Sequence, residues 1–298
     1  SDREFLAKAR LNNVGLKVNF TQVAYKLDDT DIELTKNSVE LGTIKLRDAD
    51  NNTATLRGNI RHKNWQDMYY DIVVETDRAP MQLLNTTLMD NQQFYGRAKG
   101  TGSFILVGPQ NDMFMQIIAK ASEQDSSYIT LPPARSRETG AATFMVERKY
   151  GREMTEEEFR GSATNITYEV DITANPMATV EVILDELTGD VIRGKGVGNI
   201  KMRAGTSEPL TLRGRYDIQE GNYLFTFESF IKKPFTLRRG ANNYIEWTGD
   251  PYSATINLEA NYEATNVSLA PLVSGLALCN NLSRYRSDVN VVAHLTGE

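Results

Sequence analysis

Apolar and polar residues alternate along most of the chain with a period of two residues. Such alternation places the apolar side chains of a β-strand on one face and is typical of a half-buried sheet. The apolar positions fall, in chain order, at Val14, Leu16, Val18, Phe20; Ala54, Leu56, Ile60; Tyr70, Ile72, Val74; Phe104, Leu106; Met113, Met115, Ile117; Val180, Val182, Leu184; Ile200, Met202; Tyr223, Phe225, Phe227; and Ile256, Leu258, Ala260. The pattern predicts an all-β protein.

Turn-forming residues separate these runs, most clearly at residues 48–52, 108–112 and 249–251. A new strand begins roughly every 10 to 14 residues, so we expect on the order of 20 strands. A flat open sheet of that width is unfavourable, and the sheet is expected to curve or close.

Helical periodicity is confined to a few short segments. Residues 3–10 and 155–160 are the better candidates, and residues 80–85 and 270–278 are weaker ones. Pro132 and Pro133 begin a charged stretch that reads as a loop or linker. We therefore predict a β segment over residues 1–135, a loop with a short helix over 136–160, and a second β segment over 161–298, with one continuous sheet as an alternative.

The chain also repeats itself at a spacing of 96 residues. The shift aligns the segment from Val74 to Met81 with the segment from Val170 to Met177, and aligns residues 97–102 with residues 193–198. Eight identities occur across the 31 ungapped positions from 74 to 104. This similarity predicts a supersecondary unit that is used at least twice, as in stacked β arrays.

Composition argues against several classes of function. The formal net charge of −6 argues against non-specific binding to nucleic acid, and no polybasic segment suggests electrostatic binding to a membrane. Cys279 is the one cysteine, so no disulfide can form within the chain. No run approaches the ~20 apolar residues of a spanning helix. The abrupt first and last residues predict a piece of a longer protein.

None of the motifs that could indicate ligand binding or catalysis has the neighbouring residues that such a site requires. Gly194, Gly196 and Gly198 are followed by alternating apolar residues rather than a helix, which favours strand glycines over a phosphate-binding loop. His62 and His294 have no metal ligands at a suitable spacing. There is no Gly-x-Ser-x-Gly motif, and the acidic run at residues 156–158 fits a helix start. We expect no enzymatic activity, no metal and no cofactor.

The abundant apolar material has two interpretations. It could fill the dry core of a sandwich or barrel, or it could line a concave face that stays open to hydrocarbon, and periodicity alone does not separate the two. If the face is open, the candidate groove residues are Tyr223, Phe225, Phe227, Ile256, Leu258, Ile200, Met202, Phe104, Leu106, Met115 and Ile117.

The segment from Leu212 to Tyr262 resembles the C-terminal domain of the TamB family of translocation and assembly module proteins. It pairs glycines with aromatic residues at Gly214, Tyr216, Gly221 and Tyr223, continues through Ile245-Glu-Trp247-Thr-Gly249-Asp-Pro251, and ends in an apolar strand that closes with Ala260-Asn-Tyr262. Residues 54–60, 95–102 and 129–132 also resemble the β units that recur in this family.

The resemblance implies an open, half-pipe β-taco with an apolar interior, in the periplasm of a diderm bacterium. It also implies an inner-membrane anchor in an N-terminal helix outside this chain, and an outer-membrane barrel partner of the TamA or BamA type. The function that it implies is a hydrophobic groove for phospholipid acyl chains, outer-membrane protein assembly, or both. The alternative is a scaffold that offers sheet edges to outer-membrane or autotransporter strands without conducting lipid. A carbohydrate-binding or adhesive sandwich is less favoured because no calcium-type Asp cluster is present.

Overall fold

A computed structural model describes residues 5–91, 94–132, 148–149, 152–153, 165–185, 188–227, 231–251, 253–268 and 286–297. Within these ranges every regular element is a β-strand. The first eleven strands are β1 (Phe5–Leu11), β2 (Gly15–Val18), β3 (Val23–Leu27), β4 (Thr30–Thr35), β5 (Ser38–Arg47), β6 (Thr53–Lys63), β7 (Gln66–Thr76), β8 (Met81–Thr86), β9 (Tyr95–Pro109), β10 (Asp112–Ala121) and β11 (Ser127–Leu131).

The remaining strands are β12 (Arg148–Lys149), β13 (Arg152–Glu153), β14 (Asn165–Ala174), β15 (Ala178–Asp185), β16 (Asp190–Gly205), β17 (Thr211–Phe227), β18 (Ile231–Leu237), β19 (Tyr244–Gly249), β20 (Ala254–Ser268) and β21 (Arg286–Gly297). Every apolar run that the alternation identified coincides with one of these strands or overlaps it. The described strands form one 19-stranded sheet and a separate two-stranded hairpin of β12 and β13, which confirms the all-β prediction.

The prediction of a few short helices is wrong at residues 3–10 and 80–85. Residues 5–11 form β1 instead, which pairs antiparallel with β4, and residues 81–86 form β8, which pairs with β9. Pairing in a sheet overrides a weak local helix preference. The candidate helices at 155–160 and 270–278 lie outside the described residues, as do Cys279, Pro133 and the acidic run at 156–158.

The sheet is built from long strands that alternate with broken ones. Alongside β9, strands β10 and β11 follow one another end to end, because both pair with β9 in the same antiparallel direction. The loop of residues 122–126 interrupts them. Strands β7 and β8 lie end to end on the other side of β9, and β18 and β19 do so along β17. The breaks divide much of the sheet into two halves. The first half contains β7, β10, β14 and β19, and the second half contains β8, β11, β15 and β18, while the long strands β9, β16 and β17 run through both.

The predicted repeat is present in three dimensions. Strands β7, β8 and β9 recur 96 residues later as β14, β15 and β16, with the break after β7 matched by the break after β14. The register of Leu84 with Ala98 is reproduced by Val180 with Gly194. One supersecondary unit is therefore used twice in the described sheet.

The two units belong to one sheet. Strand β10 pairs with β14, and β11 pairs with β15, both in parallel, while the other pairings are antiparallel. Hydrogen bonding therefore continues from the first β segment into the second. The division at residues 135 and 160 stays a prediction.

Buried apolar residues form two clusters. The smaller one lies under the first strands and contains Ile44, Leu46, Ala54, Leu56 and Met81. The larger one extends from Leu84 and Phe94 to Leu258 and Ala260 and draws on both halves of the sheet. Because residues from both halves share this cluster, their apolar faces turn towards a common interior, as the curved-sheet prediction requires.

Candidate apolar groove

The apolar face of the sheet is organised in rows that run across the strands. Residues that are directly paired between neighbouring strands project from the same face. Following the pairs gives row one, which crosses eight strands from β5 to β17 with an apolar side chain at each step: Ile44, Leu56, Val74, Phe104, Ile117, Val170, Met202 and Leu212. At about 4.8 Å per strand, the row is about 34 Å long.

Two more rows flank row one on the same face. Row two consists of Ile72, Leu106, Met115, Tyr168 and Ala204. Row three passes from Ala119 through Ile172, Ile200, Gly214 and Trp247 to Ala254. Together the rows make a continuous apolar strip that passes through the parallel β10–β14 junction without a charged residue in any row.

Burial varies along this strip. Five of the candidate groove residues in rows one to three are half-buried, namely Phe104, Leu106, Met115, Ile117 and Ile200. Met202 is 9% exposed and is packed into the larger cluster. Half-buried apolar side chains that share one face retain surface that a ligand can cover, whereas a sealed core buries such side chains fully.

The second half of the sheet presents its own apolar row, which we call row four. It passes from Leu131 through Val182, Ile192 and Tyr223 to Phe235. Tyr223 is 6% exposed, whereas Phe225, on the same face of β17, is half-buried. Phe227 lies in β17, but its side chain is outside the description.

The last two candidates lie in β20 and differ in burial. Ile256 is half-buried and pairs with Ile245, while Leu258 is 1% exposed and pairs with Leu295. Leu258 is therefore a core residue, and Ile256 retains accessible surface. The candidates consequently divide into a buried group (Met202, Tyr223, Leu258) and a half-buried group, a distinction that alternation could not make.

Tyr216 fixes the line along which the halves meet. Its ring is 1% exposed, and its hydroxyl donates to the carbonyl oxygens of Ala178, at 3.0 Å, and Gly194, at 3.3 Å. Its burial raises the hydroxyl pKa well above the ordinary value. Since Tyr216 lies in β17 and Ala178 begins β15, this one side chain ties together strands on either side of β16.

The glycines of β16 allow the backbones to approach closely at this line. A Cβ at Gly196 would lie 1.9 Å from the carbonyl oxygen of Asp217, and at the equivalent Gly100 it would lie 2.3 Å from that of Lys120. Any larger residue would push neighbouring strands apart. The interpretation of these residues as strand glycines is confirmed, because β16 continues through them and no helix follows.

Phe20 enters the interior from the turn between β2 and β3. Its ring centroid lies 5.5 Å from that of Tyr168 in row two and 6.1 Å from that of Phe94. The same turn accepts a 2.9 Å hydrogen bond at Thr21 from the backbone N–H of Asn85. The turn thus covers part of the strip where β14 and the start of β9 come together, a contact that local periodicity does not reveal.

The opposite face of the sheet is charged. Asp171 pairs with Lys201 at 3.3 Å, and Arg203 forms ion pairs with Glu169 and Glu208. A cavity of about 570 Å³ lies among these residues, and its lining also includes Ile117, Val170 and Met202 of row one. The charges of Arg203 and Lys201 in the lining are paired with carboxylates. The contrast between the faces identifies the apolar rows, rather than this cavity, as the candidate site.

The two histidines lie in different strands. His62, in β6, stacks on Trp65 with ring centroids 4.3 Å apart, and His294 lies far along the chain in β21. Across the described ranges, no three His, Cys, Asp or Glu residues are placed to hold a metal ion. Nor does this part of the chain contain a helix with the length and hydropathy needed to cross a membrane.

The family model of the TamB C-terminal domain matches residues 42–298, which is most of the chain. No curated protein and no solved structure matches the chain.

Proposed function

Because the chain belongs to the TamB C-terminal domain family, we propose that its apolar rows form a groove that holds phospholipid acyl chains and acts without enzymatic chemistry. The family comprises envelope proteins of diderm bacteria with a role in outer-membrane protein assembly or lipid transport. The periplasm, between an inner-membrane anchor and an outer-membrane partner, is the location that we propose for this chain.

The observation that carries the proposal is the continuity of row one. An acyl chain spans one leaflet, about half of the ~30 Å hydrocarbon core of a bilayer, and row one is longer than that. The accessible part of the row is the stretch of Val74, Phe104 and Ile117, which are half-buried, since the other five residues of the row are 2–9% exposed. Each methylene group that the groove removes from water contributes about 0.8 kcal/mol. Since the rows contain no charge at any step, a chain can move along them without passing a polar barrier.

The half-buried residues of the rows support an accessible surface rather than a sealed core. Phe104 and Ile117 are directly paired and keep part of their side chains exposed. Their neighbour Ile118 lies on the opposite face of β10 and is 48% exposed. These adjacent positions provide a matched pair for testing the two faces.

The test compares Ile117→Asp with Ile118→Asp in the full 298-residue chain. We expect native mass spectrometry to show retained phospholipid in the parent and in Ile118→Asp, and at least a tenfold loss in Ile117→Asp, because a carboxylate in the row costs several kcal/mol when hydrocarbon covers it. Circular dichroism checks that both variants are folded. A folded Ile117→Asp that retains lipid as the parent does would refute the groove.

A second candidate function is favoured by strand β21. Within the described sheet β21 pairs with β20 alone, so its other edge offers unpaired backbone groups. Val291 and Val292 on this strand are 43% and 50% exposed. This edge suits the addition of a strand from an outer-membrane barrel partner of the TamA or BamA type.

The edge is tested separately from the groove. Replacing Val292, which lies on the face opposite Tyr262, by Lys should abolish crosslinking of β21 to an outer-membrane barrel in cells while retained phospholipid is unchanged, since charged side chains discourage strand addition. If crosslinking to the barrel persists undiminished, the partner binds elsewhere.

A further inference from the structure

One cation lies on the apolar face of the second half of the sheet. Lys233, in β18, pairs directly with Phe225 in β17, and Phe235 two residues later pairs with Tyr223. Since strand side chains alternate between faces, Lys233 shares the face of these aromatic residues. Its neighbour Lys232 points the other way and is exposed.

The rings around Lys233 form a connected aromatic cluster. Phe225 and Phe235 have centroids 6.4 Å apart, and Phe235 and Tyr262 have centroids 5.5 Å apart. The ring centroid of Tyr223 lies 6.0 Å from that of Phe225, and Tyr223 joins the cluster to row four. A charged side chain placed among such rings would be costly without a compensating interaction.

The ammonium group of Lys233 has one such interaction and can donate further hydrogen bonds. Its Nζ atom donates to the Tyr262 hydroxyl at 3.0 Å and lies 5.0 Å from the centroid of that ring. Lys233 forms no ion pair with any carboxylate of the described residues. A lysine ammonium has three hydrogens to donate, so this cation has donors for an anion.

The Asp190 carboxylate, which contacts Tyr223 of the aromatic cluster, forms no ion pair with Lys233. It accepts the Thr226 backbone N–H at 2.8 Å and the Tyr223 hydroxyl at 3.4 Å. Desolvation, with Asp190 as the second cause, raises the pKa of Tyr223 to about 12, so its hydroxyl stays protonated and can keep donating. The Asp190 carboxylate and the Lys233 ammonium group therefore have different hydrogen-bond partners.

We propose that Lys233 binds the phosphate group of a phospholipid whose acyl chains lie on the apolar rows. This inference rests on the proposed function. A lipid of that kind has an apolar part that the rings cover and an anionic group that a lysine neutralises through a charge-assisted hydrogen bond. The net charge of −6 repels anionic lipids in general, so a preference for them requires a local cation.

The test measures retention of three probes by the full chain in native mass spectrometry: phosphatidylglycerol, diacylglycerol with the same acyl chains, and inorganic phosphate. We expect the parent to prefer phosphatidylglycerol over diacylglycerol about tenfold. Lys233→Gln should lose this preference and retain diacylglycerol normally, since it removes the charge and keeps most of the length. Lys233→Arg should restore the preference, and Lys232→Gln should behave as the parent.

Each other outcome overturns one claim. If the folded Lys233→Gln variant keeps the preference, or the parent has none, Lys233 is not a phosphate site, although the groove stands through its retained diacylglycerol. If inorganic phosphate binds as tightly as phosphatidylglycerol in a Lys233-dependent way, the site is one for free phosphate. If neither lipid is retained by the parent, the proposed function itself fails.

Discussion

Ile117 pairs with Val170 in parallel register, and through this pair the apolar row of the first β unit continues into the second. The residues that separate them in the chain include a long segment with no alternation. Parallel pairing keeps both side chains on one face. The continuity of the strip therefore depends on how β10 and β14 meet rather than on the connection between them.

Burial predicts different consequences for two neighbouring candidates in β20. Leu258→Ala should lower the free energy of unfolding by about 2–5 kcal/mol, because a fully buried leucine leaves a cavity. Ile256→Ala should cost clearly less, since Ile256 is already partly exposed. Urea denaturation followed by circular dichroism measures both. Equal losses would show that Ile256 belongs to a sealed core.

The close approach at Gly196 predicts a strong effect of a single methyl group. Gly196→Ala should destabilise the fold by about 3 kcal/mol or more, because the new Cβ would collide with the Asp217 carbonyl oxygen. Gly297→Ala is the control, since nothing lies within 4 Å of a Cβ there, and it should change stability by less than about 0.5 kcal/mol. Thermal unfolding of the two variants checks the difference, and similar melting temperatures would contradict it.

Tyr216 should contribute through its hydroxyl group. Tyr216→Phe keeps the ring and removes the donor to Ala178 and Gly194, which should cost about 1–2 kcal/mol. Tyr128→Phe serves as a control because that side chain is 53% exposed. Chemical denaturation distinguishes them. A neutral Tyr216→Phe substitution would mean that the hydroxyl does not hold the two halves together.

Asp77 makes stability depend on pH in the acid range. Its carboxylate accepts hydrogen bonds from Lys45, Thr53 and Thr55, which lower its pKa from 3.8 to about 2. A lowered pKa in the folded state adds stability above pH 3.8, and that stability is lost as the pH falls towards 2.

The corresponding variant is Asp77→Asn. It should lower stability at pH 7 by about 1 kcal/mol, a modest value because water screens a partly exposed ion pair. It should also flatten the decline in melting temperature between about pH 4 and pH 2. Asp71→Asn, at an exposed position, should leave the parent's pH profile unchanged. An unaltered acid profile in Asp77→Asn would assign the decline to other groups.

The fold class and the strands were predictable because each depends on local alternation. The repeat was also visible, since Val74 and Val170 align at the 96-residue spacing and both lie in row one. The segment at residues 3–10 was misread as a helix because its composition favours one. Six residue pairs with β4 decide its conformation instead.

The candidate site was predictable only in part. Alternation identified Phe104, Ile117 and Met202 as sharing a face with their strand neighbours, but it could not show that pairing puts all three in one row. Nor could it separate the buried Leu258 from the half-buried Ile256. The location of Lys233 among aromatic rings depends on the register of β17 with β18, which no local pattern encodes.

The direction of the rows has a mechanical consequence. Hydrogen bonds between strands point along the rows, so a pull in that direction separates neighbouring strands one ladder at a time, whereas a pull along the strands would shear many bonds at once. A narrow connection in the described sheet joins β5 to β3 and β4, with two residue pairs to each. Under tension between the ends of the sheet, separating β1 to β4 from β5 would break these few pairs and the contacts of Phe20, Thr21 and Tyr25, and would leave the apolar strip from β5 onward paired.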